Sequence, residues 1–216
     1  MHGCTLSDVT AVSGRQERKQ QTRQALLDAA LHLLETRGFD GLSLREVARG
    51  ADIVPTAFYR HFADLTELGL VLVAESFETL RRMIRSARYD LESGSDVIDA
   101  SVRILVRHVH EHRAHFHFIA RERYSGVPAL RQAIRWEIGL FVRELATDLA
   151  RFPYLKGWTT DDLRMLAELL VNAMVHTAEA ILETPADRPE LEREIVRTAR
   201  NQLRLVMTGV PNWRSG

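Results

Sequence analysis

The chain has one cysteine, Cys4, and a single thiol excludes both an intramolecular disulfide and a cysteine-held zinc. It has no surplus of charge either: Lys plus Arg number 29 and Asp plus Glu number 29. Global electrostatics therefore say nothing about nucleic acid, and any basic footprint must be local. No apolar run approaches the roughly 20 residues that span a bilayer, and the first residues lack the basic start and apolar stretch of a signal peptide. A cytoplasmic protein without a membrane partner is expected. There is no Gly-rich phosphate loop and no nucleophile elbow, so neither enzyme activity nor a cofactor is expected. Alternating β-branched stretches are also missing.

What is present is helix. Apolar residues recur at spacings of three and four throughout, which gives an all-α chain of nine helices. Residues 1–12 read as a disordered tail. Ser13 and Gln16 offer a capping box for a first helix running to about Arg37, with Ala25, Leu26, Ala29, Ala30, Leu33 and Leu34 inward and Gly38 as its C-terminal cap. "SLRE", Ser43 to Glu46, is a second capping box, and Pro55 opens a third helix reaching about Phe62. Asp64 and Glu67 cap a longer helix from Leu65 to about Arg88. Further helices are expected from Asp96 to Glu111, from a break near Arg113 to Tyr124, from Pro128 to Arg151, from Thr160 to Glu183 and from Pro189 to Thr208. The domains are then 13–64, a DNA-binding unit; 65–88, a connecting helix; and 89–216, a ligand-binding and dimerisation unit.

Two short helices joined by "ADIV" and braced by a longer one describe a helix-turn-helix, whose second helix enters the major groove. That helix is "PTAFYRHF". Thr56 and Ala57 are small enough to let the backbone approach base edges, Phe58 and Phe62 face inward, and Tyr59, Arg60 and His61 can donate to phosphates. Arg45 can reach guanine O6 and N7, while Ser43, Arg18, Lys19, Thr22 and Arg23 can hold phosphates.

The segment "TRQALLDAALHLLETRGFDGLSLREVARGADIVPTAFYRHFADLTEL" resembles the N-terminal DNA-binding domain of the TetR family of repressors. The resemblance implies a homodimer of nine-helix subunits on a palindromic operator, a C-terminal domain that holds a small-molecule effector, and dimerisation through the last two helices. It assigns phosphate contacts to Tyr59 and His61 and base reading to Arg45, Thr56 and Ala57. Three positions depart from the family pattern. Asp52 replaces a turn glycine, Val54 replaces a capping serine, and Leu65 stands where many members have a phosphate-binding lysine.

"IVPTAFYRHFADLTELGLVLVAE", "DASVRIL" and "FIARERYSG" resemble the FabR and DesT type within that family, regulators of unsaturated fatty-acid synthesis that respond to long-chain acyl-CoA. The resemblance implies an acyl-CoA effector and control of fatty-acid metabolism genes. Phe77, Leu80, Ile84, Leu105, Phe116, Ile119, Trp136, Phe141 and Met174 are then the candidate ligand lining, although any six-helix domain buries such residues as plain core. Arg121, Arg123 and Arg131 are candidate head-group contacts. Dimerisation would use Leu166, Leu169, Leu170, Ala173, Ile195, Leu203 and Met207. The alternative effector is another hydrophobic molecule, or a metal ion held by His108, His112 and His115, which share a face only if their helix runs unbroken past Arg113.

Overall fold

Prolines and capping residues divide this chain into helices at nearly every position where the sequence places a boundary. The structure is a computed structural model that describes residues 6–91 and 97–215, with side chains over 14–82 and 97–215. Cys4, the side chains of Ser13 and Ile84, and Asp96 lie outside the described residues. Those residues form nine α-helices and no strand: α1 Leu6–Leu34, α2 Leu44–Gly50, α3 Pro55–Phe58, α4 Leu65–Leu91, α5 Val97–Glu111, α6 Arg113–Glu122, α7 Pro128–Leu149, α8 Thr160–Glu183 and α9 Pro189–Gly209. Single 3-10 turns at Phe39–Gly41, Pro153–Leu155 and Val210–Asn212 join or close them.

Several local expectations are corrected. The first helix begins at Leu6, so backbone assigned to a disordered tail is helical, and it ends at Leu34 rather than Arg37. Gly38 does not cap it; its φ of −77° and ψ of 164° are extended, and it leads instead into the Phe39 turn. Ser43 is the N-cap of α2, but its side chain makes no capping bond. Glu46, the expected partner in that box, instead receives two bonds from Arg37 Nη1, both at 3.1 Å, which tie the end of α1 to α2. The Asp64 box does form, with Glu67 N–H donating to Asp64 Oδ1 at 2.8 Å and Ala63 N–H donating to the Glu67 carboxylate.

The main core joins the N-terminal unit to α4, α6 and α7. Leu26, Leu27, Ala30 and Leu34 of α1 meet Phe58 and Phe62, then Leu68, Leu72 and Phe77 of α4, and Ile119, Leu130 and Ile134 beyond. Phe39 is part of this core. A Cβ on Gly69 would stand 2.6 Å from the Phe39 ring, so α4 needs glycine there for the ring to lie on its backbone. From the other side Phe39 N–H donates to Glu122 Oε1 at 2.9 Å. Smaller apolar clusters hold α7 to α8, α5 and α6 to α8, and α5 to α9.

Contrary to the expectation that no stretch approaches bilayer length, the 24 residues of α8 pass that test, with a mean hydropathy of 1.4 in the most apolar window. Its apolarity serves packing: Leu163, Leu166, Ala167, Ala178, Ile181 and Leu182 are buried against neighbouring helices. Other apolar residues stay open: Met165 is 39% and Leu169 52% exposed on α8, and Leu205 of α9 is 75% exposed.

Candidate nucleic-acid interface

The turn between α2 and α3 sets the angle of the exposed helix. Ile53 N–H donates to Ala48 O at 3.0 Å and Asp52 N–H to Arg49 O at 3.1 Å, the two bonds of a Schellman motif. Asp52 occupies its left-handed position at φ 54°, the sole non-glycine residue with positive φ among the described residues. Asp tolerates that conformation better than most residues, as expected where the family has glycine. Val54 caps α3 without a side-chain bond and Pro55 fills its first position. The α-helix proper is short, but His61 N–H to Phe58 O at 2.9 Å and Phe62 N–H to Phe58 O at 3.1 Å carry the turn on to Phe62.

Phe58 and Phe62 are buried as expected, and they leave the opposite side outward: Thr56, Tyr59 and Arg60 are exposed, with Ala57 and His61 half-buried. Arg45 and Lys19 are exposed as well. Gln16, Lys19, Gln20 and Arg23 of α1 face Arg60 and His61 across a concavity of about 350 Å³. It is a basic hollow on an electrically balanced chain. Burial first, then the charges of Lys19, Arg23 and Arg60, hold the His61 imidazole below its usual range, and its Nδ1 is buried without a hydrogen-bond partner. A phosphate oxygen in the hollow would meet the cations of Lys19, Arg23 and Arg60 together.

Two expected contacts change role. Arg23 Nη1 donates to His61 O at 2.9 Å, and its guanidinium lies 4.2 Å from the centroid of the Phe62 ring, so it locks the end of the recognition helix to α1. Thr22 donates its hydroxyl to Arg18 O at 3.0 Å, which commits that proton inside α1. Ser43 is half-buried at the start of α2 and Leu65 packs against the core. Gln16 and Gln20 were not anticipated, although their spacing with Lys19 and Arg23 places all four on one helical face.

In the C-terminal domain the candidate lining divides. Phe77 packs on Phe141 with centroids 5.8 Å apart, in the same cluster as Ile119. Phe116 and Leu105 belong to a second cluster, which Leu80 also touches, and Met174 to a third. Trp136 leaves the set altogether: it is 64% exposed, with the Arg143 guanidinium 5.1 Å from its ring centroid. Arg123 is paired with Glu179 at 2.8 Å and Arg131 donates to Ser125 O at 2.6 Å, so two of the three head-group candidates already have partners within the subunit. Of the residues expected at the dimer seam, Leu169 is exposed at 52%, while Leu166 and Leu203 are buried inside the subunit.

A helix-turn-helix pinned by a long first helix, with a basic hollow beside its second helix and a larger helical domain behind, defines a DNA-binding transcriptional regulator. Residues 26–68 match the family model for bacterial regulatory proteins of the tetR family, and residues 95–207 match that for the tetracyclin repressor-like C-terminal domain. The chain belongs to the TetR family. Its fold is similar to that of Salmonella enterica GusR, at 19% identity and a TM-score of 0.67 over 87% of this chain and 95% of that one. It is also similar to a transcriptional regulator from Rhodococcus sp. Rha1, at 21% identity and TM-score 0.58 over 88% and 96%. The fatty acid degradation regulator FadR from Bacillus halodurans shares the fold at 14% identity and TM-score 0.62, over 87% and 95%.

Proposed function

We propose that this regulator acts as a homodimeric repressor on a palindromic operator. Arg45, Thr56 and Ala57 read bases, and Ser43, Lys19, Tyr59, Arg60 and His61 hold the backbone; Thr22 joins them only if its hydroxyl leaves Arg18. The observation that carries the DNA reading is the basic hollow of Lys19, Arg60 and His61 beside an exposed Thr56–Arg60 surface. The exposed apolar residues Met165 and Leu169 of α8 and Leu205 of α9 support a dimer through those two helices. Selection of bound sequences from a random duplex library with the full-length protein tests both: enrichment of a two-fold symmetric site supports the reading, and no enrichment rejects it.

The effector we favour is a long-chain acyl-CoA, with fatty-acid metabolism genes as targets. Its support is the resemblance of "IVPTAFYRHFADLTELGLVLVAE" and "FIARERYSG" to acyl-CoA-responsive regulators, together with the adjoining apolar clusters around Phe77, Phe141, Leu80 and Phe116. An acyl chain would run between clusters that now touch through Leu80, so it would wedge α4 away from α5 and α6. The reciprocity of linked binding supplies the test. Saturated and unsaturated acyl-CoA are titrated into protein with and without operator. A change of operator affinity of tenfold or more supports the reading, and none above twofold rejects it.

A further inference from the structure

The break between α5 and α6 falls at His112, whose φ of −127° and ψ of 37° are not helical. Its N–H nonetheless donates to His108 O at 2.9 Å, so the last turn of α5 closes through the break. His108 and His112 therefore stay on one face, with ring centroids 6.2 Å apart, and Glu111 joins them. One donor atom each from His108, Glu111 and His112 lies within 4.8 Å of the others. The expected third ligand differs. His115 turns toward α4, where its Nδ1 meets Ser76 Oγ at 2.9 Å.

We propose that His108, Glu111 and His112 form a binding site for a divalent transition-metal ion of the zinc and cobalt class. Two imidazoles and one carboxylate suit such ions rather than calcium or magnesium, which take oxygen ligands. A tetrahedral ion with bonds of about 2.0–2.1 Å needs donors about 3.4 Å apart, so the three side chains must draw in by roughly 1 Å. Glu111 can supply that movement, since its side chain is 52% exposed while that of His108 is 13% exposed. His108 is also poised as a ligand. Its Nδ1 stands 3.1 Å from Glu111 Oε2, already within the donor separation that a shared tetrahedral ion requires. The fourth position opens to solvent beside the exposed Glu111, where water completes the shell. The ring of His115 lies 6.4 Å from that of His112, so an ion here adds positive charge one ring away from the residue that meets α4.

The test uses the full-length protein stripped with chelator, then titrated with ZnCl2 or CoCl2. One ion per subunit is expected, with a visible Co2+ absorption of tetrahedral intensity and a rise in Tm on adding Zn2+. Glu111→Gln, at an exposed position that leaves packing untouched, and His112→Ala should each weaken affinity at least tenfold and abolish both signals. The variant His32→Ala, at an exposed histidine on α1, should change neither. No saturable binding, or binding by Glu111→Gln and His112→Ala equal to that of the unmodified chain, overturns the proposal. The site lies outside the helix-turn-helix, so this outcome is independent of whether the operator reading holds.

Discussion

Glu122, the last residue of α6, accepts a hydrogen bond from the backbone of Phe39, 83 positions earlier in the chain, at 2.9 Å with both groups buried. The contact links the ligand domain to the turn that leads into α2, and the Phe39 ring rests on the backbone of α4 at Gly69. The connecting helix and α6 thus both hold one residue of the DNA-binding unit.

Replacing Glu122 with Ala leaves the Phe39 N–H buried and unpaired. The expected loss is about 1.5–3 kcal/mol, read as a lower urea midpoint. Glu122→Gln retains an oxygen for that bond and should recover more than half the loss. Equal losses in the two variants would show that packing rather than the hydrogen bond is at work.

Arg45→Ala is expected to cost about 1–3 kcal/mol in operator affinity and to relax discrimination at one base pair. Lys19→Ala should weaken all sequences alike and flatten the salt dependence by about one counterion. Binding measured over a set of single-base operator variants and several salt concentrations separates the two. If Arg45→Ala weakens every variant equally, that arginine holds only backbone.

Asp52→Gly removes the cost of a side chain at positive φ in the turn, offset in part by the greater freedom of glycine in the unfolded chain. The net expectation is a gain of roughly 0.5–1 kcal/mol with operator affinity unchanged. A loss of stability would mean that the Asp52 side chain makes a contribution of its own to the turn.

Stability should fall as pH drops from 7.5 to 5.5. Burial is the leading cause that holds His61, His108, His115 and His117 below the ordinary imidazole value of 6.5. The unfolded chain therefore takes up protons first as pH falls through 6.5, which favours unfolding from there down to the folded values; above 6.5 the folded state has its full advantage. Glu75, raised by burial above 4.5, acts oppositely, its contribution being lost as pH rises through its folded value. Denaturant midpoints that do not change between pH 5.5 and 7.5 would refute this.

Helix positions were legible because Pro55, Pro128, Pro189 and Asp64 act through local geometry, which a linear pattern carries. The cap of α8, Thr159, is a different residue from the expected start, Thr160; it accepts from Asp162 N–H at 3.2 Å. The failures share a different cause. "SLRE" has the pattern of a capping box, but Arg37 draws Glu46 away, and Gly38 has the pattern of a cap while the helix ends four residues before it. Trp136 has the periodicity of a lining residue, and periodicity does not distinguish an inner face from an outer one. Glu122 carries no local signal at all, because its partner is a main-chain group on a distant turn.

The hollow of Lys19, Arg60 and His61 belongs to a chain whose opposite charges balance, and this bears on how the regulator would find its site. Beyond the Debye length, about 8 Å at physiological salt, duplex phosphates feel no net pull from the protein. Only when that one face has turned toward the groove does attraction begin. Most encounters with chromosomal DNA then end in separation rather than long sliding, and the search proceeds by many brief three-dimensional visits in which orientation, more than proximity, decides whether the protein stays.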